Sequence, residues 1–482
     1  MLDPGFLKQL RLIVTDDGLR TSDAQRHAYA SDAYTLEKAP PGAIVLPSST
    51  EQVAAIVKLC RSHGVPIVPR GAGTGLAGGA MARENMVLLC LSRMNRILKV
   101  DIPNRRVYAE AGVVNTTLTK AVAPHGFLYA PDPSSQGAST VGGNLANNAG
   151  GPHTLKYGVT ANHILGATIV LPSGDIVTLD ASQPGLDILG IICGSEGTIA
   201  IVTEVIVKIV RAPEAIRTLL AVCPSVAVAT KIISSIIAAG IIPAALEMID
   251  QTILRVVEES YHLGLPTDAG AVLLIEMDGP EAGLDRLTAK VEQLCIDGGV
   301  VRVEVASDAA TRAKLWTARK KAVGALGRLA PSHATQDGVV PRTKLPEILV
   351  KIEEIAAKYN LRIANVFHAG DGNLHPVVLF DERDKDEVKR VLAAGGDILR
   401  ACVDAGGTLT GEHGIGLEKQ EFMGMVFTPE DLDLQKRIRD VFNPNGLLNP
   451  GKLFPVHNTC CPHMDRPDNA ELQLLARGKG SV

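Results

Sequence analysis

The stretch Val65-Pro-Ile-Val68, followed by Arg70-Gly-Ala-Gly-Thr-Gly-Leu-Ala-Gly-Gly-Ala80, decides how this chain folds. A short apolar strand runs straight into a loop with five glycines in eleven residues. Gly73-Thr-Gly75-Leu-Ala-Gly78 fits the spacing G-x-G-x-x-G, which in a dinucleotide fold opens a long helix whose first turn meets a pyrophosphate. Here Gly79-Ala-Met-Ala-Arg-Glu-Asn85 is too short and polar for that helix before the next strand-like run, Met86 to Leu91. Asp101 is the residue that would serve as ribose-binding acid under the dinucleotide reading. The reading we prefer is a loop whose successive backbone N–H groups face two phosphates, with glycine permitting close approach and positive φ angles.

Outward from this loop an α/β pattern extends in both directions. Ala43 to Leu46 reads as a strand, with Thr50 as the N-cap of a helix that ends at Gly64. Strands follow at Ile97 to Val100 and Val107 to Glu110, then a helix over Asn115 to His125. Gly166 to Leu171 and Ile176 to Leu179 read as a hairpin across Pro172-Ser-Gly-Asp175. Residues 1–39 read as a helical lead-in around Ser22 to Ala33. The pattern resets at Arg211 to Pro213, and two β-α-β units between Arg217 and Val305 suggest a ferredoxin-like layer. The expected division is a lead-in over 1–39, a cofactor domain over 40–212, a substrate domain over 213–455 and a polar tail over 456–482.

Composition narrows the function. Net charge is −4 and aromatic residues make up 3%, which excludes a basic nucleic-acid surface or a base-stacking platform. Pro224 to Ala245 imitates a membrane span, yet Gly240 and Pro243 break it and its isoleucines sit at helical spacing, so a buried helix is expected. Met1 to Lys8 shows no signal-peptide pattern, and the eight cysteines form no CxxC pair that would hold an iron–sulfur cluster. A cytoplasmic protein is the expectation.

Two further glycine blocks follow: Gly137-Ala-Ser-Thr-Val-Gly-Gly-Asn-Leu-Ala-Asn-Asn-Ala-Gly-Gly151 and Cys193-Gly-Ser-Glu-Gly-Thr-Ile199. The order of the three blocks resembles the FAD-linked oxidase family, whose FAD-binding domain is of the vanillyl-alcohol-oxidase type. The whole stretch from Ala43 to Pro455 is similar to the branch holding glycolate oxidase flavoprotein subunits and D-lactate dehydrogenases. The resemblance implies an α+β fold: a two-part FAD-binding domain, a ferredoxin-like cap and a short helical C-terminal segment. It implies that Gly71, Gly73, Thr74, Gly75 and Leu76 hold the pyrophosphate. Thr140, Gly143, Asn144, Gly150 and Gly151 would line the flavin and adenosine path, with Gly197 and Ile199 beside them. Relatives with covalent flavin carry histidine where this chain has Thr74, so FAD bound without a covalent link is expected. Asn449 and Lys452, in Phe442-Asn-Pro-Asn-Gly-Leu-Leu-Asn-Pro-Gly-Lys-Leu-Phe454, match the closing motif of the family and would reach the flavin; a helix-stop loop reads almost as well.

The chemistry is written later in the chain. Phe367-His-Ala-Gly-Asp-Gly-Asn-Leu-His375 places two histidines either side of an Asp-Gly-Asn turn, so that a hairpin can bring them together. Gly411-Glu-His-Gly-Ile-Gly416 adds a carboxylate and an imidazole on a glycine-flanked loop. Two His and one Glu leave open positions on a divalent metal, as a catalytic site needs. The resemblance implies that His368, His375 and Glu412 ligate that metal (Zn or Mn), that His413 is the base, and that Arg319 grips the carboxylate of a small 2-hydroxy acid. The bland alternative for Arg319 is a surface helix charge.

Val377 and Val323 stand where D-2-hydroxyglutarate enzymes carry Asn and Thr, which disfavours a second carboxylate on the substrate. His333-Ala-Thr-Gln-Asp337 lacks the tyrosines of glycolate oxidase subunits, so glycolate over D-lactate is a narrow preference. The alternatives kept open are a D-2-hydroxyglutarate-type dehydrogenase, an electron-transfer flavoprotein subunit and a nicotinamide-dependent enzyme. With glycolate as substrate, the resemblance implies a second flavoprotein and an iron–sulfur subunit as partners, placing the protein beside the inner membrane through them. His457-Asn-Thr-Cys-Cys-Pro-His463 has no counterpart in the family and reads as part of the tail.

Overall fold

A computed structural model describes residues 2–455, so the tail and its His457 to His463 stretch, with Cys460 and Cys461, lie outside the described residues. The chain divides into two compact units. The first holds residues 2–150, Val159–Ala212 and 412–455; the second holds Gly151–Gly158 and Pro213–Gly411.

In the first unit, strands Ala43–Val45, Val87–Cys90 and Ile67–Arg70 pair in parallel. All four residues of Val87–Cys90 are buried, as a parallel strand covered on both faces requires. The lead-in differs from expectation. Its main helix is Pro4–Val14, started by Asp3, whose carboxylate accepts from the Phe6 N–H at 2.9 Å. The helix around Ser22 is only Asp23–His27, and Leu19–Arg20 forms a strand antiparallel to Ala43–Val45. Two residues give no periodicity to read, and only the existing sheet edge makes them a strand.

Ser49, not Thr50, caps the helix Thr50–Ser62: its hydroxyl accepts from the Gln52 N–H at 3.3 Å. Thr50 is turned inward instead, donating to the Thr203 hydroxyl at 3.0 Å. A second, antiparallel sheet joins Ile97–Asp101, Arg106–Glu110, Ile201–Lys208, Ile164–Val170 and Ile176–Asp180. The last two form the hairpin expected across Pro172 to Asp175, where Gly174 takes φ +85°. Residues 447–449 close the unit, with the Ile67 N–H donating to the Leu447 carbonyl at 2.8 Å and the Asn449 N–H to the Ile67 carbonyl at 2.7 Å.

The second unit is built on a seven-stranded sheet. Its strands Ala215–Cys223, Ala245–Asp250, Ala271–Gly279 and Arg302–Val305 lie in the order fourth, first, third, second, all antiparallel, as in a ferredoxin-like layer. Arg362–His368, Pro376–Phe380 and Ser332–Thr335 extend it beyond Ala245–Asp250. The isoleucine-rich segment is the helix Val226–Ala238, with Ile232, Ile233 and Ile236 fully buried. Among the described residues no helix is long and apolar enough to cross a membrane. The short insertion Gly151–Gly158 is pinned by Glu276, which bonds His153 at 3.2 Å, Arg312 at 2.8 Å, Trp316 at 2.7 Å and Thr218 at 3.0 Å. Burial opposes the charge of Glu276, but these partners outweigh it and hold the carboxyl well below its usual range.

Candidate active site

In the first unit, the segment 71–86 contains no helix, so the dinucleotide reading fails where the sequence predicted it would. Gly73 and Gly78 adopt φ +72° and +74°. The loop is clasped from the lead-in: the Ala33 N–H donates to the Gly75 carbonyl at 3.1 Å, and the Asp32 carboxylate accepts from the Ala80 N–H at 3.1 Å. Asp32, buried and missed by sequence reasoning, has its pKa raised by that burial. Arg70 folds over the loop, donating to the Ser31 carbonyl at 2.9 Å, and a Cβ on Gly73 would lie 2.1 Å from its Nη2.

The three glycine blocks converge here. A Cβ on Gly71 would lie 2.3 Å from the Thr140 hydroxyl, and one on Gly197, at φ +68°, 2.6 Å from the Pro69 ring. Thr140 precedes the short helix Val141–Asn147, which carries Gly143 and Asn144. The third block closes on it, since the Gly194 N–H donates to the Leu145 carbonyl at 3.0 Å and the Glu196 N–H to that of Ala146 at 2.8 Å. Ser139 Oγ, Thr140 Oγ1 and Asn144 Nδ2 are buried with no hydrogen-bond partner among the described residues. Buried polar atoms are otherwise nearly always paired, so this cradle suits a polar guest such as FAD. Asn449 has the same character: its Nδ2 donates to the Glu196 and Gly79 carbonyls at 2.7 and 3.0 Å, while its Oδ1 is unpaired. Gly150 and Ile199 are buried in the same unit, Thr74, Gly75 and Leu76 are partly exposed on the loop, and Gly151 begins the insertion that belongs to the second unit.

The loop of His413 is also part of the first unit. Glu196, held at φ +51°, accepts from the Ile415 N–H at 2.6 Å and the Gly416 N–H at 2.7 Å, one through each carboxylate oxygen. Asn147 donates to the His413 carbonyl at 3.2 Å. Burial raises the pKa of Glu196, and the two N–H groups partly offset it. The sequence cue to Glu196 was a lone acid inside a glycine block. Lys452 is buried with its ammonium on the Met81 carbonyl at 2.8 Å; burial, with Arg83 nearby, pushes it down to about 8.

In the second unit, the hairpin of Arg362–His368 and Pro376–Phe380 brings His368 and His375 together, with ring centroids 5.0 Å apart and planes at 82°. One ring nitrogen of each lies within 4.8 Å of the other. Arg319, on the helix Ala309–Ala325, is buried and is no surface charge. Between them stands a residue that sequence reasoning missed. Glu247, fully buried, takes His368 Nδ1 at 2.8 Å and Arg319 Nε at 2.6 Å. Burial works against its charge, but the His368 ring and the Arg319 guanidinium outweigh it and hold the carboxyl below its usual value.

A second missed acid, Asp337, lies 3.5 Å from His375 Nε2 and accepts from the Thr410 hydroxyl and the Gly411 N–H. It therefore fixes the last residue of this unit, and Glu412 follows by one peptide bond. Two imidazoles, the first with a carboxylate on its Nδ1, are a suitable donor set for a divalent ion. Val377 is fully buried in an apolar cluster with Ala318, Ala322 and Val323.

Residues 41–180 match the FAD binding domain family, and residues 212–453 the family of FAD linked oxidases, C-terminal domain. The chain is 42% identical over 442 residues to the glycolate oxidase subunit GlcD of Escherichia coli K12, covering 91% of this chain and 89% of that protein. It is 41% identical over 458 residues to the GlcD of Bacillus subtilis, covering 94% and 97%. A D-lactate dehydrogenase of Anaerostipes hadrus is 34% identical over 428 residues, covering 86% and 90%. Among solved structures, p-cresol methylhydroxylase superposes with a TM-score of 0.77 at 16% identity, covering 93% of this chain and 96% of that one, a likeness of fold.

Proposed function

Because the chain belongs to the FAD-linked oxidase family, we propose that it oxidises glycolate or D-lactate to the 2-oxo acid and passes the electrons to an acceptor other than nicotinamide. The observation that carries this reading is the pairing of His368 and His375 behind Glu247 and Asp337 in a chain that holds an FAD cradle. When bound, FAD supplies a two-electron acceptor, and a divalent ion supplies Lewis acidity at the substrate hydroxyl.

The residues of the chain do the rest. His368, His375 and Glu412 are the ligands for Zn or Mn. Glu412 is the residue directly after Gly411, which Asp337 anchors. His413 accepts the hydroxyl proton, a task suited to an imidazole near neutral pH. Among the described residues Arg319 has Glu247 as its hydrogen-bond partner through Nε alone, so the η nitrogens are the ones that grip the substrate carboxylate. Gly71, Gly73, Thr74, Gly75 and Leu76 hold the pyrophosphate. Ser139, Thr140 and Asn144 supply polar atoms to the cofactor, Gly143, Gly150, Gly151, Gly197 and Ile199 line its path, and Asn449 reaches the flavin. Thr74 cannot form a histidyl link, so FAD is dissociable.

Apolar packing at Val377 and Val323 supports a short acid over a dicarboxylate, whose second charge would lack a partner there. We place the chain in the cytoplasm. There a second flavoprotein and an iron–sulfur subunit would carry electrons onward and hold it at the inner membrane.

Anaerobic mixing with glycolate, D-lactate, L-lactate and D-2-hydroxyglutarate tests the reading. Bleaching of the flavin bands by glycolate or D-lactate is expected. Bleaching by D-2-hydroxyglutarate alone, or by none of the four, defeats it.

A further inference from the structure

We propose that Glu247 is a positioning residue that presets a metal ligand and the substrate-gripping arginine together, orienting His368 through Nδ1 and Arg319 through Nε. This rests on the function proposed above. The strand register dictates the first half, because Glu247 lies directly opposite His368 in the antiparallel pair of Ala245–Asp250 with Arg362–His368. Its neighbours Leu246 and Met248 are buried and apolar, so a carboxylate at this depth is tolerated only with both oxygens engaged. Both are engaged, at 2.8 Å and 2.6 Å.

Each contact has a chemical consequence. A carboxylate on Nδ1 keeps the ring proton there and leaves the Nε2 lone pair for a cation, which fixes tautomer and ring orientation and raises ligand basicity. A carboxylate on Nε fixes the guanidinium plane and leaves the two η nitrogens as a fork for a substrate carboxylate. One side chain would therefore preset both the imidazole that would hold the cation and the guanidinium that would take the substrate carboxylate. The bond to Arg319 also ties the strand Ala245–Asp250 to the helix Ala309–Ala325 at this point.

Glu247→Gln tests the assignment, because an amide has one acceptor oxygen where two N–H donors must be met. Zn²⁺ and Mn²⁺ affinities of the FAD-loaded full chain would be measured by competition with a chelator, and KM and kcat for D-lactate beside them. E247Q is expected to weaken metal binding on the order of 10–100-fold and to raise KM, with the flavin spectrum intact. R319M is expected to raise KM and leave metal affinity unchanged. Since E247Q leaves a buried guanidinium short of its partner, the double variant E247L/R319M removes that charge together with any acceptor for His368 Nδ1. Its metal affinity should stay as low as in E247Q.

Wild-type metal affinity in E247Q, or its recovery in the double variant, overturns the proposal while leaving the function standing. A wild-type chain that binds neither Zn²⁺ nor Mn²⁺ overturns the function itself, and this inference with it.

Discussion

The glycine cradle of the first unit and the histidine hairpin of the second are both polar, yet they are finished to different degrees. In the cradle, Ser139 Oγ, Thr140 Oγ1, Asn144 Nδ2 and Asn449 Oδ1 are buried without hydrogen-bond partners among the described residues. In the hairpin unit the acid behind the first histidine is satisfied from within, since Glu247 spends both oxygens on His368 and Arg319. The cradle is made of backbone and short side chains that a guest must complete. At Glu247 the hairpin cluster is already wired within the protein. The cofactor would thus be a component of the fold in the first unit, and the proposed ion a tenant of the second.

The largest effect we expect comes from His413. H413A should keep FAD, because Glu196 grips the backbone of this loop beyond the imidazole, and should slow flavin reduction by roughly 10²–10⁴-fold. Stopped-flow reduction near the wild-type rate would remove His413 from the chemistry. Next, stripping FAD should lower unfolding free energy by about 3 kcal/mol relative to protein held at a hundredfold excess over Kd. Removing metal with a chelator should abolish turnover with a much smaller shift of the melting temperature. Equal shifts in the two experiments would erase the distinction between the sites.

A third test concerns Gly416, whose φ is +50° and where a Cβ would lie 2.0 Å from the Ala77 carbonyl oxygen. G416A should cost about 1–3 kcal/mol and slow reduction by moving His413, and calorimetry with single-turnover kinetics would show both.

The smallest effect is a pH dependence. Lys452 titrates near 8 in the folded chain, against 10.5 for the unburied group. Between those values the unfolded chain holds a proton that the folded one has released. Stability relative to K452M should therefore rise with pH across that window, by at most about 1.4 kcal/mol per unit. Parallel urea melts at pH 7 and pH 9.5 would check the sign.

Much of the fold was legible because it is local. The hairpin across Pro172 to Asp175 follows from turn residues between alternating strands, and the convergence of His368 and His375 from the Asp-Gly-Asn turn between them. The ferredoxin-like layer came from counting elements. What escaped was set by partners far along the chain. Leu19–Arg20 is a strand only because Ala43–Val45 offers an edge. Asp32, Glu196, Glu247 and Asp337 serve groups 48, 219, 121 and 74 residues away, and no periodicity carries that information. A charged residue inside an apolar strand was the available clue for Glu247, since such a residue requires a buried partner.

The closing of the first unit by residues 447–449, hydrogen-bonded on both sides of Ile67, has a consequence for biosynthesis. The ribosome must deliver the whole second unit before it makes the segment that completes the first. Completion of the first unit is therefore a late event in synthesis, and a transcript cut short before Asn443 would code for a protein able to build the later body and unable to finish the earlier one.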